Sequence, residues 1–107
     1  MANVYTNAKV DLTTTSITTL YTAPALTTSI VNSIIVSEDS GNADTVTLTL
    51  TNSASAVFSL FKTKSISANA TAELLTAPLV LQTGEVLKAT AATANRLHVV
   101  ASILEIT

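Results

Sequence analysis

Few residues of this chain could carry chemistry. His98 is its one histidine, placed between Leu97 and Val99 in an alternating apolar run. An imidazole works as a general base only where a nucleophile and an orienting group converge on it. No G-x-S-x-G elbow offers a serine to His98, so a packing or surface role is expected for it. Cysteine is absent, which removes thiolate ligands, a thiol nucleophile and any disulfide framework. A zinc site needs three or four imidazole, thiolate or carboxylate ligands, and the imidazole and thiolate supply here does not reach that. The chain is therefore not expected to be an enzyme, and no cofactor is expected.

The densest polar cluster is Glu38-Asp39-Ser40-Gly41-Asn42-Ala43-Asp44. Its oxygen donors Glu38, Asp39, Asn42 and Asp44 would make a half-site for calcium, but the distal bidentate glutamate of an EF-hand loop has no counterpart. Carboxylates, asparagine and glycine are also what a hairpin turn uses for local hydrogen bonds and positive φ, and that is the expected use. Gly41 and Gly84 are isolated, so no phosphate-cradling loop is formed. Lys9, Lys62, Lys64, Lys88 and Arg96 are scattered in a chain of net charge -2, which argues against a nucleic-acid partner. Lys62 and Lys64, two apart on a strand, are expected to share a face and keep a sheet edge soluble. With no Trp, two Tyr and two Phe, an aromatic platform for sugars is poorly supplied. Asn69-Ala70-Thr71 is a glycosylation sequon only for a chain on a secretory route.

The elements that hold these residues are read best from Leu20 to Leu50. Thr45-Val46-Thr47-Leu48-Thr49-Leu50 alternates with period 2, the mark of a half-buried strand. Before it, Ser29 to Ser37 places Ile30, Ile34 and Val36 on one face and Val31 and Ile35 on the other. A strand apolar on both faces is central in a sandwich or covered by a neighbour. Ala56 to Lys62 has the same property through Phe58, Leu60 and Phe61. Pro24 and Pro78 cannot donate to a ladder and mark edges or turns. Further strands are expected over Ala8–Leu12, Ile17–Tyr21, Ala72–Leu75, Leu79–Leu81, Val86–Ala89 and Arg96–Ile106. Thr90 and Thr93 argue against a helix over Ala89–Ala94. About eight short strands with polar turns every ~8–12 residues predict an all-β fold, a two-sheet antiparallel β-sandwich of jelly-roll or Greek-key type without significant helix. Residues 1–7 are expected to form a short N-terminal arm, and residues 8–107 a single domain. Leu20-Tyr21-Thr22-Ala23-Pro24 and Leu74-Leu75-Thr76-Ala77-Pro78 echo one another, which is either chance in a Thr- and Ala-rich chain or a duplicated half-sandwich.

Hydrophobic residues make up 48% of the 107 and charged residues 11%, against roughly 25% charged in ordinary soluble proteins. No run approaches the roughly 18 apolar residues of a spanning helix, and Met1-Ala2-Asn3-Val4-Tyr5 lacks the regions of a signal peptide; no membrane partner is expected. Charge on surfaces and edge strands keeps monomers apart, and interface centres are where charge is depleted. A surface this poor in charge predicts assembly with copies of itself or with a partner. The candidate interface residues are Val4, Tyr5, Tyr21, Val31, Ile35 and Phe61.

The sequence Leu20-Tyr21-Thr22-Ala23-Pro24, the strand Ile30…Val36, the Ser40-Gly41 turn and Thr45-Val46-Thr47-Leu48 resemble small all-β structural proteins of tailed-bacteriophage virions. Leu81-Gln82-Thr83-Gly84-Glu85-Val86-Leu87 and the closing Val99…Ile106 strand are similar to the same group. These are turn-and-strand patterns covering most of the chain, and they carry no functional residues. The resemblance implies a virion location and a capsid decoration (cement) protein, a homotrimer or dimer that bridges subunits of the major capsid protein or another virion protein. Its alternatives are a small tail, connector or fibre component, or a glycan-binding β-sandwich module.

Overall fold

The computed structural model describes residues 2–107. Nine strands follow in order: β1 (Asn3–Asp11), β2 (Thr18–Thr22), β3 (Thr28–Glu38), β4 (Asp44–Thr51), β5 (Val57–Ile66), β6 (Thr71–Glu73), β7 (Leu79–Leu81), β8 (Val86–Ala91) and β9 (Leu97–Ile106). Among the described residues there is no helix. One sheet runs β1-β9-β3-β6, with β7 also on β3, and the other runs β2-β8-β4-β5. All pairings are antiparallel, and the strand order is that of a jelly roll.

Alternation builds the core. Val46 and Leu48 of β4 turn inward and are fully buried while the intervening threonines stay partly exposed. They meet Ile34, Val36, Val99 and Ile103 of the opposite sheet in one hydrophobic cluster. Ala89, Ala91 and Ala101 are buried among these larger groups, small residues that let the two inner faces interdigitate at native density.

The jelly roll also accounts for the sequence echo. Exchanging β1 with β5, β2 with β6, β3 with β8 and β4 with β9 converts the first sheet order into the second read backwards. Leu20 lies in β2 and Leu74 follows β6, the second strand of each half, and both leucines are buried. The two matching segments therefore occupy equivalent places in a two-fold repeated topology. Gly84 closes the second-half turn with φ 81 and donates its N–H to Ala23 O at 3.1 Å, which ties that turn to the first copy of the echo.

Three sequence expectations change. Asn3–Asn7 do not stand apart from the domain: they are the first half of β1, paired residue for residue with Ser102–Ile106, and Thr107 N–H donates to Ala2 O at 3.0 Å. Met1 lies outside the described residues. In β3, Val31 pairs with Ile103 and Ser33 with Ser102, so Asn32 is an extra residue. This bulge reverses the alternation midway. Val31 thus faces inward with Ile34 and Val36, while Ile30 faces outward with Ile35. In β5, Phe61 pairs with Leu48 and Lys64 with Val46, leaving Lys62 and Thr63 together opposite Thr47. Lys62 and Lys64 consequently do not share a face by simple alternation. They still lie on an edge strand, where a bulge, a lysine pair and the Thr63 φ of 49 disfavour pairing with another chain.

Candidate assembly surface

The acidic turn is an anchor for loops. Glu38 is buried, and its carboxylate accepts Gly41 N–H at 3.0 Å and Asn69 N–H at 3.1 Å on Oε1, and Ser40 N–H at 2.8 Å with the Ser40 hydroxyl on Oε2. Glu38 N–H in turn donates to Ala70 O at 2.9 Å. One side chain thereby joins the β3–β4 and β5–β6 turns. Burial works against its ionisation, but the Ser40 hydroxyl and the N–H groups of Asn69, Ser40 and Gly41 outweigh it and bring its pKa down to about 2. Asp44 does similar work, accepting Thr45 N–H at 2.8 Å and Thr93 N–H at 3.1 Å. Of the four oxygen donors that a calcium reading would need, Glu38 and Asp44 are thus committed to backbone N–H groups, while the exposed Asp39 faces His98.

His98 lies on the outer surface of the β1-β9-β3 sheet. Its Nε2 is 3.2 Å from Asp11 and its Nδ1 is 3.5 Å from Asp39. The ring is held between two exposed carboxylates from either side of β9, an arrangement that fixes its orientation.

Tyr21 clamps the sheets together. From β2 its hydroxyl donates to Glu105 Oε2 of β9 at 2.5 Å and lies 2.8 Å from Ser29 Oγ of β3. Burial, then the Glu105 hydrogen bond, raise the phenol pKa to about 12, against a smaller opposing effect of Ser29. A folded-state pKa above the unfolded value of about 10 means that this contribution is complete below pH ~10 and is lost as pH rises toward 12. Tyr21→Phe is expected to cost about 1–2 kcal/mol in urea unfolding at neutral pH and to remove the phenol titration near 12 from the alkaline absorbance profile. Unchanged stability would mean that the clamp is not made.

The two outer faces differ in character. On the β2-β8-β4-β5 sheet, Thr45, Thr47, Thr49 and Thr51 point away from the core, with Thr90 and Lys88 beside them on β8. Thr47 Oγ1 accepts Thr63 N–H at 3.1 Å, and Thr51 Oγ1 is buried without a hydrogen-bond partner. On the other sheet, residues directly opposite in antiparallel register share a face, and that face carries one row that is apolar throughout and one that is apolar at its centre and charged at its ends. Tyr5, Leu104, Ile30 and Val80 form one row across β1, β9, β3 and β7. Tyr5 is 79% exposed and Val80 53%. Lys9, Val100, Ile35 and Glu73 form the second, across β1, β9, β3 and β6, with Val100 and Ile35 each 38% exposed. Asn7, Ser102 and Ser33 separate the two rows. The Glu73 carboxylate is held against the backbone at the β3 edge: it accepts Ile34 N–H at 2.9 Å, Leu75 N–H at 3.2 Å and the Ser33 hydroxyl. Burial raises its pKa, and these donors outweigh that and lower it, so the carboxylate stays charged at neutral pH.

Of the sequence-derived interface residues, the structure brings Tyr5 and Ile35 to this face. Val31 is 0% exposed and belongs to the core, because the Asn32 bulge rotates it inward. Tyr21 lies between the sheets. Val4 shares the inward side with Glu105 but is half exposed at the open end of the sandwich. Phe61 is partly buried against the core from the edge strand β5. Ile30, Val80, Val100 and Leu104 were not singled out from sequence, although the even-numbered positions Val100, Leu104 and Ile106 already formed a second apolar register in the last strand.

No family model matches the chain, and no curated protein matches it. Among solved structures, the chain is similar to one in the structure of infectious bursal disease virus Gt strain, with TM-score 0.47 and 10% sequence identity, covering 98% of this chain and 30% of that one. This chain thus spans less than a third of that neighbour's length, and a likeness this distant does not bear on function.

Proposed function

We propose that this chain is a non-enzymatic structural protein of a virion, and specifically a decoration protein that binds an assembled capsid. The observation that supports the reading is the outer face of the β1-β9-β3 sheet: a fully apolar row and a second row with an apolar centre, on a jelly roll whose surface has little charge to hold it apart from other proteins. Jelly rolls serve in viral capsids and in lectins alike, so the fold does not choose the function. The resemblance of the strand-and-turn pattern to tailed-phage virion proteins favours a virion role over a lectin. Such a protein acts by linkage: binding the assembled shell and not its dissociated subunits, it stabilises the shell by mass action.

Co-sedimentation of the purified chain with coat shells, followed by cryo-EM of the loaded particles, tests this. Saturable binding with density at capsomer boundaries and a raised shell melting temperature are expected. Density confined to the tail would replace the decoration role by that of a tail or fibre component. Glycan-array binding without any affinity for virion components would overturn the virion reading.

A further inference from the structure

We infer that the outer face of the β1-β9-β3 sheet is covered by a second copy of the same chain, as a two-fold face-to-face dimer. The inference rests on the assembly reading above and adds to it the partner and the geometry. The reason lies in the order of residues within the rows. A two-fold axis lying between the faces and parallel to β9 and β3 reverses each row onto itself. Tyr5-Leu104-Ile30-Val80 then meets Val80-Ile30-Leu104-Tyr5 of the other copy, apolar against apolar at every position. Lys9-Val100-Ile35-Glu73 meets its own reverse, which sets each Lys9 opposite a Glu73 and each Val100 opposite an Ile35.

The third outward row behaves consistently. Asp11-His98-Ser37-Thr71 reversed places the aspartate opposite a threonine and the histidine opposite a serine. No like charges oppose one another in any row. Isologous interfaces require this self-complementarity, and a heterologous partner would not.

The area is sufficient. β1, β9 and β3, of nine, ten and eleven residues, with the three residues each of β6 and β7 beside them, give at about 4.8 Å spacing and roughly 3.3 Å rise a face of about 570 Å² per copy, or roughly 1,100 Å² in total, at the lower end of specific interfaces. Two twisted sheets pack with strands within about 30° of alignment, which keeps the central pairs opposed. At the row ends Glu73 is held by its three donors, and the long Lys9 side chain, which donates to Asn7 Oδ1 within the chain, does the reaching. On the threonine face of the other sheet the row Thr22-Val86-Thr51-Val57 has two apolar members, but they alternate with threonines and no row is apolar throughout.

Sedimentation velocity of the full chain at micromolar concentration tests the proposal. The expected species has twice the 11.0 kDa chain mass. Leu104→Asp is expected to raise the dimer dissociation constant at least about 100-fold with the β spectrum kept. Lys9→Glu, an exposed change that does not touch the core, is expected to raise it roughly tenfold and Lys9→Arg to leave it unchanged. Thr49→Asp, on the opposite sheet, is the control and is expected to leave the dimer intact. A monomeric or trimeric wild type, or a dimer indifferent to both Leu104→Asp and Lys9→Glu, would overturn the inference. Shell binding is read separately. A wild-type monomer that still binds shells would sink the dimer and spare the virion role, and a dimer without shell affinity would do the reverse.

Discussion

Glu38→Gln is expected to lower the melting temperature by several degrees at pH 7 and to flatten the acid limb of the stability curve. The carboxylate of Glu38 serves four donors in two turns. An amide keeps one acceptor oxygen and turns an NH2 toward N–H groups, so at least one of Ser40, Gly41 and Asn69 loses its partner in a buried setting. The sign of the pH effect follows from the depressed pKa. With about 4.3 for an unfolded glutamate and about 2 in the fold, the stabilisation is fully present above pH ~5 and disappears as pH falls toward 2. Glu73, also lowered, acts in the same direction and remains in the variant. Urea unfolding from pH 7 to pH 2 is the measurement. Wild type and variant should converge toward the acid end, and two parallel curves would show that the charge of Glu38 is not what holds the turns.

The same residue shows where sequence reading stops. Glu38-Asp39-Ser40-Gly41 is recognisable as a turn, because its composition is local. That Glu38 is buried, and that one of its donors comes from Asn69, depends on two loops meeting at one end of the sandwich. Spacing along the chain carries no trace of that meeting. The alternation of β4 was readable for the opposite reason. β4 has hydrogen-bonded neighbours on both sides and one face in the core, so its pattern is written into every residue from Val46 to Leu50. The two-sheet architecture followed from the number and length of such runs. The strand order did not, since β1 pairs with β9 across nearly the whole chain.

The assembly surface falls between these cases. Its β9 residues Val100 and Leu104 lie in a visible period-2 register, yet a strand that is apolar on both sides does not say which face is the core. Only the placement of the opposite sheet decides it. The rows across β1, β9, β3, β6 and β7 are a property of pairing, and the reversal that makes them self-complementary appears only once the register is fixed.

Deletion of Asn32 is expected to keep the fold, its register and both faces of β3. Asn32 is exposed, so Asn32→Ala should stay within about 0.5 kcal/mol of wild type. It is also the extra residue of the bulge, since Val31 pairs with Ile103 and Ser33 with Ser102. Without it, Val31, Ser33 and Ile34 follow one another against Ile103, Ser102 and Ala101 in regular period-2 alternation. Val31, Ile34 and Val36 then stay in the core, and Ile30 and Ile35 stay on the outer surface. What is lost is the local bend and added twist that a bulge gives a strand. The expected cost is about 0.5–3 kcal/mol in urea unfolding, with a single cooperative transition kept. Loss of that transition would show that the bend at Asn32, and not only the alternation on either side of it, is needed to seat β3 over the opposite sheet.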